Sequence, residues 1–279
     1  MSSFREFWRR LCKNRLNVFC LLLFGVIVLM VMCAGLIAPY GPDDQEITRR
    51  YLSPCLAHLC GTDNLGRDIF SRILYGGQVS LVMGITASLM TTVAGAVIGS
   101  TSAYFGGKVD NIIMRVMDVF MAMPPMLMAM AIVAALGSGV FNTMLAVVIS
   151  GIPMKARVAR GPVLALRDQE FIEAAKAANT PTYKIILRHI IPNIMAPLIV
   201  QTTLSISGTI VSVAGLSFLS LGIQPPNPEW GAMLSAGRQY LRDYPWMVLA
   251  PGAAMLLTLF SLNVVGDGVR DALDPKLKD

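Results

Sequence analysis

Cys55, His58 and Cys60 place three soft side chains in one polar loop, which makes metal binding the first chemistry to consider. Their spacing matches no standard zinc pattern. A disulfide between Cys55 and Cys60 is open if the compartment is oxidising, and two unpaired loop thiols are the simpler expectation. Met114, Met117, Met121, Met123, Met126, Met128 and Met130 invite a soft-ion pathway. Methionine is also the adaptable filler of packed helices, and its thioether suits ions softer than nickel, so packing is the expectation. His58 and His189 are the two histidines, too few for a relay of imidazoles. The carboxylates form no acid/base pair beside a nucleophile, which argues against catalysis by this chain. The sequence contains no Gly-x4-Gly-Lys-Ser/Thr loop, so it has no sign of its own nucleotide site.

One further stretch carries unusual polarity. Gln169-Glu170-Phe171-Ile172-Glu173-Ala174-Ala175-Lys176-Ala177-Ala178 reads as a helix, Asn179-Thr180-Pro181 as a pause, and Tyr183 to Ile191 as a second helix stopping at Pro192. Two short helices meeting at a bend are a plausible handle for a partner. An amphipathic helix lying on a membrane is the alternative.

The elements that must position these residues are apolar. Hydrophobic residues make up 54% of the chain and charged residues 14%, against roughly a quarter charged in soluble domains, so the chain reads as a membrane protein. No small-x-small cleavage pattern follows the first apolar run, which is long enough to span. Spans are predicted at about 18–38, 79–104, 111–136, 140–161, 194–221 and 247–265, giving an all-α protein with six crossings. Pro124-Pro125 should break the third, which is tolerated where protein or a water-filled cavity satisfies the freed backbone. Arg115 and Asp118, at i and i+3, are placed to pair. Gly61 to Arg72 reads as a turn followed by a helix cap. Trp230, Tyr240, Tyr244 and Trp246 suit an interfacial aromatic belt.

Basic residues set the orientation. With the N-terminus inside, only Arg49, Arg50, Arg67, Arg72, Arg238 and Arg242 of the 23 Lys and Arg fall outside. That bias accounts for the net charge of +6 without nucleic acid and puts both termini and the central polar stretch in the cytoplasm.

Glu173-Ala174-Ala175, then Asn179, then His189-Ile190-Ile191-Pro192 resembles the cytoplasmic "EAA" loop of ABC importer permeases, where a glycine stands at the position of Asn179. More closely, the chain is similar to the C-type permease subunit of dipeptide, oligopeptide and nickel importers. The likeness extends over Gly61-Thr62-Asp63, Gly66-Arg67-Asp68, Gly106-Gly107-Lys108-Val109-Asp110, Gly215-Leu216-Ser217-Phe218-Leu219, Gln224 to Gly231 and Gly266 to Pro275. Asparagine is the residue that best replaces glycine in a left-handed bend, so the bend is expected to survive.

The resemblance implies a type I (MetI-like) permease fold. Residues 1–78 would hold the N-terminal cytoplasmic segment, first span and extracytoplasmic loop. Residues 79–279 would hold a five-helix core with a coupling loop at about 162–192. Glu173, Ala174, Ala175, Asn179, Thr180 and Pro192 would make the ATPase contact, through Glu173 and the Ala174–Ala175 surface. No cofactor is expected on this chain, since ATP and magnesium would belong to partner subunits. The implied partners are a homologous permease, two ATPases and an extracytoplasmic binding protein, in a bacterial or archaeal plasma membrane. Di- or oligopeptides are the leading cargo and nickel, free or chelated, the second. An ion-coupled carrier would be expected to carry ionisable residues in mid-membrane, and the predicted spans look bare there. A structural scaffold is the remaining class.

Overall fold

The computed structural model describes residues 2–273. They form α1 (Ser2–Leu11), α2 (Arg15–Met32), α3 (Ala34–Ile37), α4 (Ile69–Phe105), α5 (Gly107–Met121), α6 (Pro125–Leu136), α7 (Val140–Leu166), α8 (Glu170–Ala177), α9 (Thr182–Lys184), α10 (Met195–Phe218), α11 (Trp230–Gly237) and α12 (Trp246–Leu273). No strand occurs among the described residues, only an isolated bridge between Thr62 and Asp68.

Four helical runs are long and apolar enough to cross a bilayer: Arg15–Met32, Ile69–Phe105, Thr182–Phe218 and Trp246–Leu273. The first has a mean hydropathy of 2.4 yet only 17% of it is buried. Phe19, Leu22, Val26 and Leu29 stand exposed along it, and a helix apolar all round with so little cover needs lipid around it. A fifth crossing is added if α5 and α6 count as one span. They meet at 85°, and the break falls at Pro124-Pro125 as expected. The predicted span at about 140–161 is α7, which carries Lys155, Arg157 and Arg160 and is not among the four.

Three expectations are corrected by the structure. The second span begins at Ile69 rather than near Val79, because Asp68 caps it: its carboxylate accepts from the Ser71 amide at 2.7 Å. Pro192 does not stop a helix. The chain widens into a π turn over Ile185–Ile190, tightens over Ile191–Ile194 and runs on into α10. The wider turn leaves room for a ring that would otherwise strike the preceding carbonyls, and Asn193 donates to the His189 carbonyl at 2.6 Å. Trp230 does not sit in an interfacial belt either. It is 1% exposed, and its indole N–H donates to the Ile73 carbonyl at 3.0 Å, so its polar edge needs no water.

Core packing divides into three layers. Trp230 packs with Val31, Ile69, Ile73, Met233 and Met247 at one end. Met83, Ala87, Val133, Val147, Val213 and Leu216 fill the middle. Ala103, Ala159, Val163, Ile172, Ile185 and Ile190 fill the other end, here called the Glu173 end. Glu229 is fully buried beside Trp230 and is satisfied, accepting from Ser80 Oγ at 3.0 Å and from the Ala232 amide at 2.9 Å.

Trp230→Ala should therefore cost about 3–5 kcal/mol, whereas Leu249→Ala, on an exposed face of α12, should stay within about 0.5 kcal/mol. Thermal unfolding of the two variants in the same detergent checks the contrast.

Candidate functional site

The Cys55–His58–Cys60 loop is a structural cap. His58 Nδ1 pairs with Asp68 Oδ1 at 2.9 Å and its ring stacks on Tyr40 at 4.8 Å. Both thiols are free, Cys55 in solvent and Cys60 half-buried. Burial first, and the Asp68 carboxylate second, push the Cys60 thiol up, which keeps it protonated and a poor ligand. No cluster of three His, Cys, Asp or Glu suited to a metal occurs among the described residues. The following turn is equally internal: Asp63 accepts from the Leu65 and Arg67 amides and from Arg67 Nε at 2.7 Å. Arg72 reaches the Pro42 and Pro226 carbonyls. Of the methionines, Met126 and Met130 pack against the middle layer and Met128 is buried, while Met121 and Met123 are exposed at the α5–α6 break.

The polar stretch is built differently. Arg167 follows α7 and donates to the Ala103 carbonyl at 3.0 Å, tying the loop's entry to the end of α4. Ile172 and Ala175, at i and i+3 on α8, turn inward onto Ala103, Val163 and Ile185. The opposite face of α8 leaves Glu170, Phe171, Glu173, Ala174 and Ala177 exposed. Neither Glu170 nor Glu173 has an ion-pair partner among the described residues. Both lie in the first turn, where the helix dipole favours negative charge.

The bend that ends α8 is a Schellman cap. The Asn179 amide donates to the Lys176 carbonyl at 2.9 Å and the Thr180 amide to the Ala175 carbonyl at 3.1 Å. Asn179 has φ +53°, the left-handed conformation that glycine usually supplies. Pro181 then starts the next turn.

The structure thus gathers Glu173, Ala174 and Asn179 on one exposed surface and separates Ala175 from it. Ala175 is part of the seat, because its methyl lies on the inner side of α8. Thr180 is half-buried at the bend, and Pro192 is exposed further along the helical run that continues into α10.

Three ion sites on α7 escaped the sequence reading. Lys155 is 5% exposed, and its ammonium donates to the Gln201 carbonyl and to Ser205 Oγ, both at 2.8 Å. The predicted span at about 140–161 therefore holds a buried cation. The signal was present: Lys155 sits beside Ala156, Ala159 and Val163, small or apolar positions marking the packed face of α7. Asp118 does not pair with Arg115. It meets Arg157 of α7, since α5 and α7 lie side by side there. Asp110 accepts from Ser102 Oγ at 2.6 Å and from Arg160 Nε at 2.7 Å, closing a second α5–α7 tie.

These features describe a helical, largely apolar membrane protein with an exposed polar loop. Comparison with known proteins narrows the class. Residues 66–279 match the family model described as the binding-protein-dependent transport system inner membrane component. Residues 2–54 match the N-terminal transmembrane domain of oligopeptide transport permease C. The chain belongs to this permease family, and is of the C type found in peptide importers.

Its relatives include the dipeptide transport system permease protein DppC of Alkalihalophilus pseudofirmus, 41% identical over 100% of this chain and 91% of that one. The di/tripeptide permease DppC of Pseudomonas aeruginosa is 38% identical over 100% and 94%. The glutathione transport system permease protein GsiD of Escherichia coli is 42% identical over 99% and 92%. Among solved structures, an inward-facing MetNI methionine ABC transporter superposes with a TM-score of 0.58 at 14% identity. It covers 73% of this chain and 96% of that one, a likeness of fold.

Asn179→Gly should leave stability within about 0.3 kcal/mol, because glycine and asparagine both tolerate the left-handed bend. Asn179→Val should cost about 1–2 kcal/mol. Amide exchange at Thr180, whose N–H closes the cap, should quicken in the valine variant alone.

Proposed function

We infer that this chain is the non-catalytic membrane subunit of an ATP-driven importer of di- and oligopeptides, taking its drive from separate ATPases through α8. The observation that carries this is the division of α8 into a buried foot, Ile172 and Ala175, and an exposed face with two unpaired carboxylates. A foot packed on α4 and α7 would pass a push on the exposed face to the spans as a rigid-body movement. Glu173 would meet a basic group on the ATPase, Ala174 and Ala177 would allow close approach, and the Asn179 cap would fix the angle between α8 and the chain beyond it.

Six crossings with both termini cytoplasmic fit this reading, with α2, α4, the α5–α6 pair, α7, α10 and α12 as the spans. The distribution of Lys and Arg supports that orientation. A homologous permease would complete the path, and an extracytoplasmic binding protein would deliver the cargo in a bacterial or archaeal plasma membrane. Peptide is preferred over nickel because the relatives compared above are named for dipeptides, tripeptides and glutathione. The buried Lys155 removes the bare-span argument against an ion-coupled carrier, so the case against that class rests on family membership.

Single cysteines at 174, 177 and 178 should cross-link to the ATPase in the assembled importer, and a cysteine at 175 should not. Uptake into proteoliposomes should need ATP and every partner subunit. Uptake without ATP, or an absence of cross-links at all three exposed positions, would sink the reading.

A further inference from the structure

α5 carries a polar face that its own chain does not cover. Asn111, Arg115 and Asp118 fall at i, i+4 and i+7 and so share one side of the helix. Asn111 and Arg115 are exposed, and Arg115 has no ion-pair partner among the described residues. Ile112, Ile113, Val116 and Met117 occupy other sides and line a hollow against Val97 and Thr101 of α4.

The two ion pairs between α5 and α7 differ in kind. Asp110–Arg160 is sealed: Asp110 is buried and also accepts from Ser102. Asp118–Arg157 is open, with the two side chains 43% and 51% exposed, and it has no third partner among the described residues. It lies one turn before the α5–α6 break, where Met121, Ala122, Met123, Pro124 and Pro125 are all exposed. α6 starts there without a side-chain cap. The amides of Met126 and Leu127, the first two of α6 able to donate, belong to the orphan group of a helix start.

Open charges and orphan amides on a broken span cannot face acyl chains. They persist where protein or a water-filled cavity takes them up. We propose that this face of α5, with Arg157 of α7, lines the substrate path, and that Asp118 and Arg157 receive the amino and carboxylate ends of a passing peptide. The inference rests on the importer reading above and adds the determinant of cargo chemistry.

A peptide with free ends carries an ammonium and a carboxylate that must both stay paired while out of bulk water. An ion pair that opens supplies one partner for each, and no charge is left uncompensated. The guanidinium fork suits a carboxylate two-pronged, and the Asp118 carboxylate accepts from an ammonium. No bond is made or broken; one ion pair exchanges for two.

The test uses the complete importer with its binding protein in proteoliposomes, with the native cysteines replaced. Cysteines at 111, 118 and 157 should react with a membrane-impermeant thiol reagent, and dipeptide should slow the reaction. A cysteine at Leu22, on the lipid-facing side of α2, should stay unlabelled. Uptake is then compared for a free dipeptide, its N-acetyl form and its C-terminal amide, each first shown to be held by the binding protein. Asp118→Asn should lower uptake of the free and amidated forms about tenfold or more and change the N-acetyl form little. Arg157→Gln should do the same to the free and N-acetyl forms and spare the amide. The reversed pair D118R/R157D retains an α5–α7 ion pair and shows whether loss of the wild-type pair merely impairs assembly.

Unlabelled cysteines at 118 and 157, or equal loss for all three peptides, would overturn the proposal. Failure of the importer reading itself looks different, because the unsubstituted complex would then take up no peptide with ATP.

Discussion

The close approach of α7 to α4 is the constraint on which the rest depends. Within a bilayer, apolar side chains gain nothing by leaving lipid for each other, so helices associate through tight van der Waals contact and internal hydrogen bonds. At Gly95 an added methyl would run into the Cβ of Lys155, and at Gly99 into the Ala156 carbonyl. At Gly151, on the other helix, it would meet Thr91 Cγ2 at 2.8 Å. These contacts bring the two backbones together along much of their length. Lys155 can then reach past α4 to the Gln201 carbonyl and Ser205 of α10. Ser205 in turn lies 2.8 Å from Ser88 Oγ of α4, so three helices share one polar junction.

The same contact sets the base of the loop. Because α4 and α7 end beside one another, Arg167 can reach Ala103, and Ile172 finds a floor made by both helices. α8 is only eight residues long and would be marginal alone. Its order comes from that floor, from the cap at Asn179 and from Lys176 lying over the Tyr104 ring at 5.5 Å. An element held this way is tied to α4 and α7 at once.

The parts of this structure that were legible in the sequence are those fixed by short-range chemistry. The apolar runs, the break at Pro124-Pro125, the turn and helix cap within Gly61 to Arg72 and the left-handed Asn179 each follow from residues a few positions apart. What stayed hidden depended on distant neighbours. Nothing near Trp230 in the chain reveals that Ile73 will accept its N–H. Nothing near Asp118 reveals that Arg157 stands closer than Arg115. Pro192 misled for a related reason, since a ring that breaks an ideal helix can be absorbed when the preceding turn is wide. Of the expected contact residues, Glu173, Ala174 and Asn179 stand exposed while Ala175 is buried, because which face of α8 is covered is decided by Val163 and Ile185.

The polarity of α7 follows the same logic. A hydropathy average counts Lys155, Arg157 and Arg160 as if each stood alone in hydrocarbon, where such a residue costs about 2.5–3.5 kcal/mol on insertion scales. None of them does. Lys155 is turned into the junction with α10, Arg160 is held by Asp110, and Arg157 is neutralised by Asp118. The first two ties are drawn into the protein, and for them the solvent that matters is the bundle itself. Arg157–Asp118 is matched in charge yet still open, so packing within this chain does not finish the job there. A helix that satisfies two of its cations internally and leaves the third pair facing outward has a side meant for something other than lipid.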